Sequence, residues 1–338
     1  MSLKPNPNFF GGEFAREVNT ALALGSNDVQ SQQSGGSGLF RIVSAKGKYV
    51  NVRLMNTTGT ALQQGTLCDS TATQTRTMAD KRITLESYNI FETYCKNDLV
   101  DSEYALQMER GALNTEIPME VLEALTRSLA GQEVFNLERI RWSGDITSAD
   151  PVLQLQDGLI KKIKAAGTGA GGYIRVTPTT ATASQSATTV IAEINKVLAA
   201  VPAVIRRQAG FKLILSPEVA AAYEQAISAQ GAMSPVAVTV NPLQNNVNFL
   251  GFYSVGRIPM YVVNGLGGAN KEVILACVAS EDASSNLIFA TDALSDMNSI
   301  TVVDRQTYNA TQPFVDIAWV MNHGVDFGRA SEIVLYHN

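Results

Sequence analysis

Trp142-Ser143-Gly144-Asp145, then Asp150-Pro151, then Asp157-Gly158-Leu159-Ile160 running into Lys161-Lys162-Ile163, is the stretch that decides how this chain folds. Trp142 is large and apolar with one N–H donor, a side chain that packs at an edge where the donor reaches an acceptor. Gly144 beside Asp145 supplies turn chemistry, and Asp150 before Pro151 offers a helix N-cap with a proline at the first helical position. Val152, Leu153, Leu159, Ile160 and Ile163 recur at helical spacing. The stretch predicts a strand end, a turn and a packed helix, with Asp145 and Asp157 serving structure and not chemistry.

Composition widens that reading. The 338 residues suffice for two or more subdomains, each with its own core. Charged residues make up 17% of the chain and hydrophobic ones 45%; soluble domains usually carry about 25% charge. So little charge suggests that part of the surface is covered by other copies of the chain. The net charge of −5 argues against a dedicated nucleic-acid binder, whose affinity comes mainly from Lys and Arg meeting phosphates. Cys68, Cys95 and Cys277 are odd in number and widely spaced, so neither a disulfide framework nor a zinc site is indicated. The start Met1-Ser2-Leu3-Lys4-Pro5 has no apolar signal region, and no run of 18 apolar residues occurs; a soluble protein made in a cytoplasm, with no membrane partner, is expected.

Residues 1 to 38 are polar, with a linker-like Gln30 to Gly38. Such an arm has little core of its own and needs a surface to hold it, neighbouring subunits being the expected one. Strand patterns follow at Phe40 and Ile42, at Val50, Val52 and Leu54, and at 83–85 and 90–94. Residues 56–82 are rich in Thr, Gln and Gly and bury little against themselves, so they should lie on a partner. Deleting them is expected to leave a folded subunit that fails to assemble. Val121, Leu122, Leu125 and Leu129 behind Pro118 form a helical stripe. Beyond a Thr/Ser connector from Thr177, helices at 190–201 and from Pro217 alternate with strands at 211–215, 252–255, 260–263, 273–278 and 286–290. Strands at 300–303, 314–321 and 333–336 close the chain. The class is α+β.

Searches for chemistry return little. Gly167-Thr168-Gly169-Ala170-Gly171-Gly172 fits G-x-G-x-x-G, but it follows a helix and opens into the connector, the wrong context for a dinucleotide site; a flexible hinge is expected there. His323 and His337 are the only histidines, and His323 in Asn322-His323-Gly324 reads as a turn between strands. General acid/base and nucleophilic sites draw on His most often, so no catalytic, cofactor-binding or metal-binding residues are assigned. Lys161, Lys162 and Lys164, and Arg206-Arg207, are the two basic clusters. Each is expected to be a solvated face, with non-specific phosphate contact as the functional alternative.

The order of these elements resembles the major capsid proteins of tailed bacteriophages with the HK97-type fold. The resemblance rests on the polar arm, the β excursion returning at Cys95-Lys96-Asn97-Asp98-Leu99, the helix from Pro118, and the Trp142-x-Gly-Asp and Asp157-Gly-Leu motifs. Downstream it rests on Ile214 to Tyr223, Phe249 to Tyr253 with Pro259, and Asn286 to Asp292 with Leu294-Ser295-Asp296. It implies an N-terminal arm at 1–38, an extended β-hairpin loop at 39–92, a peripheral domain with a long helix and a sheet from 93–166 and 299–338, and an axial domain at 167–298. It further implies pentamers and hexamers closing an icosahedral phage head around double-stranded DNA, assembled in a host cytoplasm. Portal, scaffolding and possibly decoration proteins are its implied partners. Many relatives carry a charged helical scaffolding segment before the arm. Nothing like it precedes Phe9; either a separate scaffold does that work or the segment is absent from this form. Lys46 and Lys48 lie where some relatives form covalent crosslinks, but no pattern here supports one. The alternatives are an encapsulin-like compartment enclosing enzyme cargo, a conventional enzyme using the glycine loop with Asp145 or Asp157, and a tail or decoration protein forming rings, tubes or trimers.

Overall fold

A computed structural model describes residues 8–10, 13–26, 28–30, 37–58, 75–96, 98, 119–179, 185–229, 249–252, 258–292, 300–307 and 313–337. The centre of residues 56–82, Cys68 included, and residues 180–184 of the Thr/Ser connector lie outside that set. Among the described residues, two six-stranded sheets and a two-stranded ribbon make up the β structure, with helices packed on both sheets.

The 14-residue strand Phe314–Phe327 organises the first sheet. It pairs antiparallel with Ile300–Asp304 and Leu287–Thr291, and over ten residues with Glu86–Cys95. Arg41–Ser44 adds a parallel edge on Leu287–Thr291, and Asn8–Phe10 an antiparallel one on Ile300–Asp304. Against one face lies the 25-residue helix Met119–Ser143, whose Val121, Leu125, Leu137 and Ile140 meet Ile317 and Trp319 of the sheet. The arm helix Glu13–Leu24 joins the same core through Val18 and Leu22. This helix of the arm therefore packs on its own subunit: it has an apolar face, and two apolar surfaces of one chain meet without the entropy cost of association.

In the second sheet the order is Ile174–Val176, Val334–Tyr336, Ile274–Val278, Phe211–Leu215, Ile258–Val262, Phe249–Phe252. The strands Phe211–Leu215 and Ile274–Val278 are buried at every residue, the pattern of strands covered on both faces. Ile214, Leu275 and Cys277 face the core that contains Trp142, Leu159 and Ile160. Leu213, Leu215 and Ile274 face Val190, Ile194 and Tyr223 on helices Val190–Ala200 and Pro217–Ala229.

The deciding stretch forms a corner, and its details differ from the expected strand end, turn and helix. Trp142 ends the long helix. It is fully buried and does not sit at an edge, although its N–H finds an acceptor as its chemistry requires. The next helix starts at Leu159 and not at Pro151; Asp150 instead accepts from the Val152 amide and leads a short 3-10 turn at Leu153–Leu155. Gly144 and Gly158 meet backbone to backbone: the Gly158 amide donates to the Gly144 carbonyl at 2.9 Å, and a Cβ on Gly144 would lie 2.3 Å from the Gln156 carbonyl oxygen. No side chain fits at either position, which is why the two glycines bracket the corner.

Candidate assembly interface

The ribbon of Tyr49–Thr58 and Thr75–Thr84 is built as a projecting element. Its root is apolar: Val52, Ile83 and Leu85 pack on Ile288 and Ala290 of the first sheet. Lys81 bridges to Asp326 at 2.7 Å with its ammonium 3.6 Å from the centre of the Phe327 ring, and Arg329 donates to the Met55 carbonyl at 2.6 Å. Beyond the root little is covered. Every residue from Thr75 to Asp80 is exposed, and Met55 (46% exposed) stands opposite Met78 (67%) in the register. Tyr49, on the same ribbon, is also exposed, its ring 3.7 Å from the Arg82 guanidinium. Methionine is a soft, adaptable apolar contact, and a two-stranded ribbon is marginal alone.

Two buried clamps fix the segment that enters this ribbon. Asp28, at the end of the arm, accepts from Arg141 Nη1 at 2.7 Å and from Trp142 Nε1 at 2.7 Å, while Ser26 Oγ accepts from the same guanidinium at 2.8 Å. The guanidinium also stands 4.6 Å from the Phe289 ring centre, and Phe40 meets Trp142 edge-on at 5.3 Å. On the other side of the segment, Lys212 of the second sheet donates to the carbonyls of Ser37 and Gly38 at 2.9 and 3.1 Å. Burial lowers the Lys212 ammonium to about 8. The long helix receives the second module through Gly265, whose amide donates to Glu138 Oε1 at 3.0 Å and whose carbonyl accepts from Ser143 Oγ at 2.7 Å.

The residues singled out in the sequence are occupied by structure. Lys161 bonds Asp145 at 2.7 Å and Asp157 at 2.6 Å, so the two motif carboxylates close on one ammonium. That hydrogen bond, aided by Thr147, holds the Asp145 carboxyl well below its usual range. Lys162 donates to the Val325 carbonyl at 2.8 Å, and burial lowers its ammonium. Lys164 reaches Asn270, and burial again lowers it. Paired and half-buried, the three lysines do not form a freely solvated face. Arg206 caps the Val190–Ala200 helix through the carbonyls of Leu198 and Val201, leaving Arg207 exposed beside it.

Gly167 to Gly172 is a closed turn and not an open hinge: the Gly172 amide donates to Gly169 and the Tyr173 amide to Gly167, with Gly167 and Gly171 at positive φ. His323 lies inside the strand Phe314–Phe327, not in a turn, stacked on Tyr88 at 4.2 Å, because the strand runs on six residues past the expected Met321. His337 meets the Tyr173 hydroxyl at 2.8 Å. Cys277 is buried with its thiol pushed up to about 12 by burial, and Cys95 is half-buried. Among the described residues no helix is long and apolar enough to cross a membrane, and no group of three or more His, Cys, Asp or Glu is placed to hold a metal ion. Asp28, Glu138, Arg141, Lys212 and Gly265 are absent from the sequence reading; each is a single polar residue or glycine with no periodic signature.

Projecting ribbon, central long strand, long helix and second mixed module together define the HK97-type capsid fold, of class α+β. Solved structures share it. A chain from the capsid of an empty GTA particle aligns over 88% of this chain and 87% of its own, with 13% identity and a TM-score of 0.52. A chain from the satellite phage P4 procapsid including the size determination (Sid) protein aligns over 99% and 93%, with 11% identity and a TM-score of 0.57. One from Gordonia phage Cozz aligns over 88% and 84%, with 12% identity and a TM-score of 0.50. Neither a protein-family model nor a curated protein matches. At such identities what is shared is the fold.

Proposed function

We propose that this chain is the major capsid protein of a tailed phage, a structural protein and not an enzyme, whose copies form pentamers and hexamers that close into an icosahedral shell around double-stranded DNA. The observation that carries this reading is the Tyr49–Thr84 ribbon: rigidly rooted by Lys81, Arg329 and an apolar base, yet exposing Met55 and Met78 to nothing in its own subunit. An element so built is completed by another copy. The capsid fold supports the same conclusion, and so does the small share of charged residues.

The divisions we assign are the arm at 1–38, the extended loop at 39–92, the peripheral domain at 93–166 with 299–338, and the axial domain at 167–298. Leu287–Thr291 reaches into the first sheet and Val334–Tyr336 into the second, so the two modules are stitched by exchanged strands. The virion is the expected location, and scaffold, portal and packaged DNA are the expected partners. With Lys161, Lys162 and Lys164 committed to protein groups, any DNA contact falls to exposed residues such as Arg207. A cargo compartment would share this architecture, but no observation on this chain favours it.

The test is negative-stain electron microscopy of the protein expressed alone, with and without nuclease treatment. Closed shells, rings or aberrant tubes are expected; nucleic acid inside would distinguish a genome container from a cargo compartment. A uniform small oligomer, unchanged across salt and concentration, would overturn the reading.

A further inference from the structure

We propose that proton binding at Glu138 governs how tightly the loop at Gly265 docks on the end of the long helix, making the junction of arm, helix and second module a proton-linked joint. Three elements converge there, their side chains almost fully buried. The long helix supplies Glu138, Arg141, Trp142 and Ser143, all buried; the arm supplies Asp28; the incoming loop supplies only backbone, the Gly265 amide on Glu138 and the Gly265 carbonyl on Ser143. The fit is close, since a Cβ on Gly265 would lie 2.5 Å from the Glu138 carbonyl oxygen.

The charge count makes the joint sensitive. Two carboxylates share one guanidinium, and the guanidinium is committed to Asp28, which also takes the Trp142 N–H. An ionised Glu138 is then an excess buried negative charge. Desolvation and the Asp28 charge push the Glu138 carboxyl up to about 7, against the opposing pull of the Gly265 amide, Arg141 and the Asn264 amide. The other charged and titratable neighbours of this node act through Arg141. They are His323 on the central strand, with Lys162 of the Leu159–Ala165 helix beside it, and Tyr88 with Glu86 on Glu86–Cys95. A neutral Glu138 can still accept the Gly265 N–H through its carbonyl oxygen, so protonation removes the excess charge and keeps the bond. Opening the joint returns Glu138 to water and to its ordinary value, so docking is strongest at low pH and weakens as pH rises from about 4.5 to about 7.

Hydrogen exchange by mass spectrometry on the full chain tests this, reading the peptide around Gly265 and Leu266 in one assembly state held constant by light scattering. After correction for intrinsic exchange, protection is expected to fall about tenfold between pH 6 and pH 8. In Glu138→Gln the same peptide should be flat across that range and at least as protected as the native one at pH 8. An equal pH response in Glu138→Gln, or no response in the native protein, would overturn the proposal. Should Glu138→Gln fail to fold, the native profile alone decides: protection that falls as pH rises and levels off near pH 7 supports the joint, and a flat profile or one that levels off below pH 6 refutes it.

Discussion

Arg141 and Asp28 meet at 2.7 Å with both side chains only 1% exposed, so the arm is tied to the long helix by an ion pair that water does not reach. Such a pair adds modest net stability as a whole, but breaking it strands the surviving charge in the interior, at a cost of about 3–5 kcal/mol. Asp28→Ala also removes the acceptor of the Trp142 N–H. A melting temperature roughly 10 °C lower is expected from thermal denaturation. A melt within a degree or two of the native one would mean that the arm is not held here.

Gly144 and Gly167 carry different constraints, and alanine at each separates them. At Gly144 the new Cβ would meet backbone, the Gln156 and Ile140 carbonyl oxygens at 2.3 and 2.5 Å, which cannot rotate away. Gly144→Ala should destabilise by about 3 kcal/mol or more. At Gly167 the space is open but φ is +71°, so Gly167→Ala should cost only the left-handed strain of about 1–2 kcal/mol. Urea unfolding measures both, and equal losses would show that close backbone approach is not what Gly144 provides.

These two glycines mark where sequence reading succeeds and where it stops. Local patterns sufficed for the helices at Val190–Ala200 and Pro217–Ala229 and for most strands, because one face of each is apolar at a regular period. The motif from Trp142 to Ile163 is legible as a turn leading to a packed helix, but the strand end expected at Trp142 is the end of the long helix, and the next helix starts only at Leu159. Asp150-Pro151 looks like a helix start by local chemistry, but the closeness of Gly144 and Gly158 delays the helix to Leu159. The clamps were illegible for a different reason. Asp28 and Arg141 are 113 residues apart, and Lys212 reaches carbonyls 174 and 175 residues away, so no spacing could announce them. The lysine run at 161–164 misled because charge in a sequence does not reveal which ammonium has a carbonyl or carboxylate waiting for it.

His323 supplies an acid-side prediction. It is wholly buried against Tyr88, its Nε2 has no partner among the described residues, and burial with help from Arg141 and Lys162 holds its imidazole well below the ordinary value of 6.5. The unfolded chain therefore binds this proton first. The stability contributed by a neutral His323 is complete above about pH 6.5 and is lost as pH falls below it, at up to about 1.4 kcal/mol per pH unit. His323→Phe keeps the stacked ring without the titration. Urea midpoints between pH 7 and pH 5 should fall less steeply for the variant than for the native chain; parallel slopes would remove His323 from the acid response.

Met55 and Met78 test the assembly reading without disturbing the subunit. They face each other on the distal ribbon, past the apolar root, and neither is buried in its own chain. Replacing both with glutamate leaves Val52, Ile83 and the Lys81–Asp326 bridge in place, so the unassembled subunit should lose no more than about 1 kcal/mol of stability, the repulsion of two carboxylates facing across the strands. If this pair is buried against a neighbouring copy in the shell, two carboxylates there would lose water without gaining partners, and closure should fail or require far higher protein concentration. Light scattering and electron microscopy read the outcome. Shells of native yield from the double variant would show that the exposed methionines meet only solvent, and the ribbon would lose its place as the assembly contact.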